Sequence, residues 1–209
     1  MGGRNGGIPQ FGRDAVAVME AEHVSRAVLV GNSLGGPAAI EAALFAPERV
    51  LAVIGVDTFH TFQTPPAEHT RKTAEAWEKD HEGSMDQMLR MLLHDDTDAA
   101  LRADIRARMM RTPVVVACAM FRSFGGYGMA AAAAKMKQPI RAICGDKFPM
   151  DVAAIRRTVP DFDAVVLPHT GHYPMRECPA EFNRALEETL AALGVTPSAS
   201  AARADSSAG

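Results

Sequence analysis

Ser33 stands between Gly31 and Gly35, with an apolar run before it and a helix-forming run after it. A serine so placed has the setting of a nucleophile. The glycines allow a tight strand-to-helix turn, and the turn lifts the hydroxyl above the sheet edge with a helix N-terminus beneath it. A serine hydroxyl is weak at neutral pH, so the chain must also supply a base and an acid that orients the base. His172 has the best context for the base, because Thr170-Gly171-His172-Tyr173-Pro174 follows an apolar run and precedes the last helical pattern. His169 is its competitor, whereas His69, His81 and His94 lie in a helical stretch and read as solvated side chains. Three carboxylates are candidates for the acid, ranked Asp146, Asp57, Asp151. Asp151 is also explained more simply as an acidic residue favoured by a helix dipole.

These residues need a scaffold that brings them together. Apolar, β-branched segments at 27–30, 51–56, 140–144 and 164–167 alternate with helical patterns at 14–22, 37–45, 152–158 and 180–193. Alternating strands and helices predict an α/β fold with a mostly parallel sheet and flanking helices. Chemistry in such sheets gathers outside the carboxyl ends of the strands, where Ser33, Asp57, Asp146 and His172 all fall. Residues 1–59 and 137–195 make up this core. Residues 60–136, rich in Met, Ala, Arg and Glu at helical spacing, read as a helical cap inserted over Ser33. Within it Met85, Met88, Leu89, Met91 and Leu92 form a stripe that packs on the domain, covers a substrate, or does both. Residues 121–128 offer a glycine-rich hinge or an ordinary loop. Residues 196–209, Ala/Ser-rich and without apolar periodicity, are expected to be a disordered tail.

The bulk properties exclude several classes of partner. Of 209 residues 22% are charged and the net charge is −3, so no basic field is available to hold nucleic acid or an anionic membrane surface. A small-molecule substrate fits better. The three cysteines are odd in number and widely spaced, outside any metal-ligand pattern, so they are expected to be free thiols in a reducing compartment. No apolar stretch reaches the roughly eighteen residues of a membrane span, and a cytoplasmic location is expected.

The motifs Gly31-Asn32-Ser33-Leu34-Gly35-Gly36, Gly145-Asp146, and Gly171-His172-Tyr173-Pro174 followed by Glu177, Pro179 and Phe182 resemble the α/β-hydrolase superfamily over about residues 10–195. The resemblance implies an esterase-like serine hydrolase with a Ser-His-Asp triad, a helical cap, no cofactor and no metal. It also implies that the Leu34 N–H is an oxyanion donor. The Gly-Asn-Ser form is similar to carbon–carbon bond hydrolases as well as esterases, and a serine at this position disfavours the dehalogenase and epoxide hydrolase branches. There are two departures. Many relatives place the acid three residues after the strand-end glycine, where this chain has Phe148. They also carry four strands before the nucleophile, whereas about 30 residues precede Ser33 here. The expectation is an incomplete α/β-hydrolase fold, without the loop that gives the second oxyanion donor. The exposed edge of strand 27–30 would then favour a homodimer. The alternative is a truncated or non-catalytic binding or signalling protein.

Overall fold

The structure, a computed structural model, describes residues 7–195. Four parallel strands, β1 (Ala27–Asn32), β2 (Val50–Val56), β3 (Ile140–Gly145) and β4 (Asp163–Leu167), lie side by side in chain order. The tail expected at 196–209 falls outside the described residues. β2 and β3 are covered on both faces and accordingly read as nearly unbroken apolar runs. Val53, Ala142 and Cys144 face one core with helix α2 (Gly35–Phe45), while Ile54, Val56 and Ile143 face the other with helix α10 (Pro179–Ala192).

Helix α1 (Ile8–Ala21) packs Val16 against Ala42 and Ala46 of α2. It begins six residues before the helical pattern expected at 14–22. Its buried face is Ile8, Gly12, Val16 and Met19, and Pro9 sits in the first turn, where its missing N–H costs nothing. The proline and the two glycines nearby obscure that apolar face in the sequence.

Five helices connect β2 to β3: α3 (Ala67–Lys79), α4 (His81–Leu92), α5 (Ala99–Met109), α6 (Val114–Phe124) and α7 (Met129–Ala133). Side-chain carboxylates cap two of them, Asp80 accepting from Gly83 N–H at 3.0 Å and Asp98 from Leu101 N–H at 2.8 Å. Ala74, Trp77, Met85 and Cys118 form a core of their own among α3, α4 and α6. Met129, Ala132 and Ala133 of α7 instead join the core of the sheet. Two short helices, α8 (Val152–Arg156) and α9 (Pro174–Glu177), complete the chain. Among the described residues no helix is long and apolar enough to cross a membrane.

Strand register sets up the site. Asn32 pairs with Val56 and Val56 with Ile143, so the residues that follow β1 and β2 leave the sheet at one level. Ser33 and Asp57 are therefore neighbours although they lie 24 positions apart in the chain.

Candidate active site

Ser33 adopts φ 53°, a left-handed conformation that side-chain-bearing residues rarely take. The turn around it is tight enough that a Cβ on Gly31 would lie 2.2 Å from the Gly35 carbonyl oxygen, so only glycine fits there. Ser33 N–H donates to the Val56 carbonyl at 3.1 Å, tying the turn to β2. Asp57 (φ 42°), Phe59 (φ 61°) and His169 (φ 52°) share the left-handed region, so backbone strain collects in the loops leaving the strand ends. Leu34, at the start of α2, lines the cavity described below, and its N–H makes no backbone hydrogen bond.

His172 and Asp57 form the closest polar pair of this edge, with Nδ1 at 2.6 Å from Oδ2. The Asp57 side chain is fully buried, and its other oxygen accepts the Gly145 N–H at 3.0 Å. Burial pushes this carboxyl up, but His172, hydrogen-bonded to it, and His60 beside it outweigh that and hold the group below the usual carboxylate range. The carboxylate against His172 is thus Asp57 and not Asp146, which corrects the ranking expected from the sequence.

Asp146 has a different set of partners. It accepts the backbone N–H groups of His169 at 2.8 Å and Thr170 at 3.1 Å, and its Oδ1 lies 3.2 Å from His94 Nε2. It shapes the loop that carries His172. Asp151 caps α8 through the Ala154 N–H at 2.9 Å. His169, the competing base, pairs with Asp96 at 2.8 Å on the exposed side of the loop. His94 is half-buried and stacked on His169 at 4.9 Å, so it is not a solvated side chain.

Several residues to which the sequence assigned no part in the site hold His172 in place. The Asn32 amide donates to the His172 carbonyl at 3.0 Å and to the Val56 carbonyl at 2.9 Å, stitching the histidine loop to the strand ends. Leu92 at the end of α4 accepts the His172 N–H at 3.0 Å. Glu177 accepts the N–H groups on either side, Gly171 at 2.9 Å and Tyr173 at 2.8 Å. A Cβ on Gly145 would meet the Thr170 carbonyl oxygen at 2.0 Å, so glycine lets this loop lie directly over β3. The signals were present as Asn before the serine and Glu five residues after the histidine, but their partners depend on tertiary contact.

Ser33, Leu34 and His172 line one cavity of about 720 Å³ beneath the helices between β2 and β3. Ser33 and His172 both line it, and they are not hydrogen-bonded to each other. Trp77, Met88, Met91, Leu92 and Phe121 supply an apolar wall, and His69, Lys72, Thr73, Ser84 and Gln87 supply polar groups. The methionine-leucine stripe therefore divides, with Met85 and Leu89 buried in packing while Met88 and Met91 face the cavity. His69, exposed to solvent as expected, also lines it.

Among the described residues, Asp57, His60 and Cys144 bring potential metal-ligating atoms within 4.8 Å of one another. Asp57 is already committed to His172 and Gly145. Burial and the Asp57 charge push the Cys144 thiol up to about 12, so it is a neutral donor to the Thr58 carbonyl at 3.3 Å. With Asp57 committed elsewhere and Cys144 protonated, the trio is not a built ligand set. All three cysteines are unpaired.

Residues 3–185 match the alpha/beta hydrolase family. Among similar solved structures is a thermophilic esterase from Thermogutta terrifontis, with TM-score 0.77 and 22% identity, covering 89% of this chain and 72% of that one. A second thermophilic esterase gives TM-score 0.72 and 26% identity over 91% and 75%. An aryl esterase assignment from Burkholderia cenocepacia gives 0.72 and 21% over 90% and 72%.

Proposed function

Since the chain belongs to the alpha/beta hydrolase family and is an esterase-like hydrolase, we propose that it cleaves small-molecule esters or related carbonyl compounds through Ser33, His172 and Asp57. The observation that carries this reading is the buried Asp57–His172 contact at 2.6 Å beside a serine in a left-handed turn. With Nδ1 given to Asp57, the His172 Nε2 is left to take the Ser33 proton as Oγ attacks the carbonyl carbon. Asp57 fixes that tautomer and stabilises the imidazolium, while the Leu34 N–H donates to the developing oxyanion. Protonated His172 then gives its proton to the leaving alcohol, and water releases the acyl group from Ser33 by the reverse sequence. The apolar wall of Trp77, Phe121 and the methionines suits an acyl or aryl group, and a carbon–carbon bond next to a carbonyl remains within the same chemistry.

A fluorophosphonate probe tests nucleophile, base and oxyanion site together. One adduct is expected by intact mass on the wild type and none on Ser33→Ala. A folded wild-type protein that takes no label would overturn the proposal and leave the binding-protein reading, which the structure supports only in its cavity. The cytoplasm is proposed as its location from the free thiols.

Among the described residues β1 pairs on one side only, and Val30 is 47% exposed there. We propose that a second copy pairs along this edge. Light scattering that shows a monomer at micromolar concentration would discard that contact.

A further inference from the structure

Asp57 has more partners than a triad acid requires. Its Oδ2 serves His172, and its Oδ1, besides accepting the Gly145 N–H, lies 3.2 Å from His60 Nε2. His60 is held edge-on to Phe148 with ring centroids 5.7 Å apart. Both its nitrogens are shut off from solvent, and neither has a hydrogen bond of good geometry, since the approach to Oδ1 is close but oblique. Packing alone would be served better by an apolar ring, because burying unpartnered polar atoms is unfavourable.

The two imidazoles also open on different spaces. His172 lines the 720 Å³ cavity with Ser33, whereas His60 lines a separate one of about 340 Å³ with Gln63, Asp151, Arg157 and Thr158. Asp57 lies between them.

We propose that His60 is a positioning residue: a second imidazole on the catalytic carboxylate, whose protonation, reached from the smaller cavity, draws the Asp57 charge away from His172 and turns the base down. This rests on the Ser33–His172–Asp57 reading. Neutral His60 leaves the Asp57 carboxylate charge undivided, so Oδ2 keeps its full support for His172. Protonated His60 places a full positive charge at the same distance, so the imidazolium that His172 must become gets less support. The groups that face His60 are Asp57 at the end of β2, Cys144 in β3, Asp151 and Arg157 across the smaller cavity, and His172 beyond Asp57. Cys144 stays neutral over the working range because burial, and then the Asp57 charge, push its thiol up to about 12. No proton leaves the Asp57 carboxylate in this scheme; because both His60 nitrogens are covered, the ring gains and loses its proton when the packing beside the smaller cavity opens locally.

The test follows the imidazole Cε1–H resonances of His172 and His60 through a pH titration of the wild type and of His60→Gln, which keeps an N–H donor but cannot titrate. The His172 resonance is expected to follow two ionisations in the wild type and one in His60→Gln. The acid limb of kcat/KM for a p-nitrophenyl ester should change in the same way. His60→Phe should lower kcat by about tenfold with KM unchanged, and Gln should restore most of that loss. Superimposable His172 titration curves in wild type and His60→Gln overturn the proposal. If a variant does not fold, the wild type decides alone: a His172 resonance that does not respond as His60 titrates overturns it. Coupled titration in a protein that hydrolyses no ester would leave this inference standing and remove the hydrolase reading, so the two failures are distinct.

Discussion

Asp57 and Asp146 follow neighbouring strands of one sheet, and both are held below the usual carboxylate range, yet they do different work. Asp57 has a fully buried side chain and gives one oxygen to His172. Asp146 leaves 41% of its side chain exposed and spends its oxygens on two backbone N–H groups and His94. One acts on the imidazole and the other on the loop that carries it. The same chemical group becomes an orienting acid or a scaffold according to which atoms the register of its strand and the path of residues 168–172 bring to it.

Asparagine at each position breaks the comparison most sharply. Asp57→Asn should lower kcat by about 10⁴, because the amide favours the wrong tautomer of His172 while nearly preserving shape. Ester hydrolysis with and without the substitution measures it. Asp146→Asn should leave kcat within about tenfold and lower stability by about 1 kcal/mol, since its hydrogen bonds are partly screened by solvent. For a chain of this size that is a drop of about 2–4 °C in the melting temperature. A reversal of these two outcomes would restore the order expected from the sequence.

Asn32→Ala sharpens the comparison from the loop side. It removes the tie between the His172 carbonyl and the strand ends while leaving Asp57 in place, so a roughly tenfold fall in kcat is expected, with a smaller change in stability. Stopped-flow acylation rates would separate this from slow product release.

The pH dependence of stability offers a finer test. The backbone N–H of His169 foremost, with that of Thr170 and the nearby His94, keeps the Asp146 carboxyl below its ordinary value of about 3.9 against the opposing effect of burial. A carboxyl lowered on folding stabilises the fold above its unfolded pKa and loses that contribution as pH falls through the folded value. The melting-temperature gap between wild type and Asp146→Asn should therefore be constant near neutrality and close below about pH 4. The smallest effect is expected at the exposed pairs of Arg71 with Glu68 and Glu75 on α3, where Arg71→Ala should leave the melting temperature unchanged within error.

Much of this site is written locally. The strand-turn-helix around Ser33 is visible because the glycines, the apolar run and the helix formers lie within about twenty residues, and His172 is marked by the glycine before it and the proline two residues after it. β2 and β3 are legible because two-sided burial selects apolar residues at nearly every position, and β1 and β4, partly exposed at the sheet edges, still keep short apolar runs. Helix α1 was less so, since Pro9 and Gly12 disguise a face whose burial only contact with α2 reveals.

The sequence by itself determined the parallel sheet, the helices between β2 and β3, and a serine and a histidine of the right kind at strand ends. Tertiary structure alone decided which carboxylate meets the histidine, that Asn32, Leu92 and Glu177 hold its loop, and that His60 stands on the far side of Asp57. The reason is range. Backbone propensity and apolar periodicity act over a few residues, whereas the Asp57–His172 contact spans 115 positions in the chain and exists only once strand register and loop path have been fixed by packing.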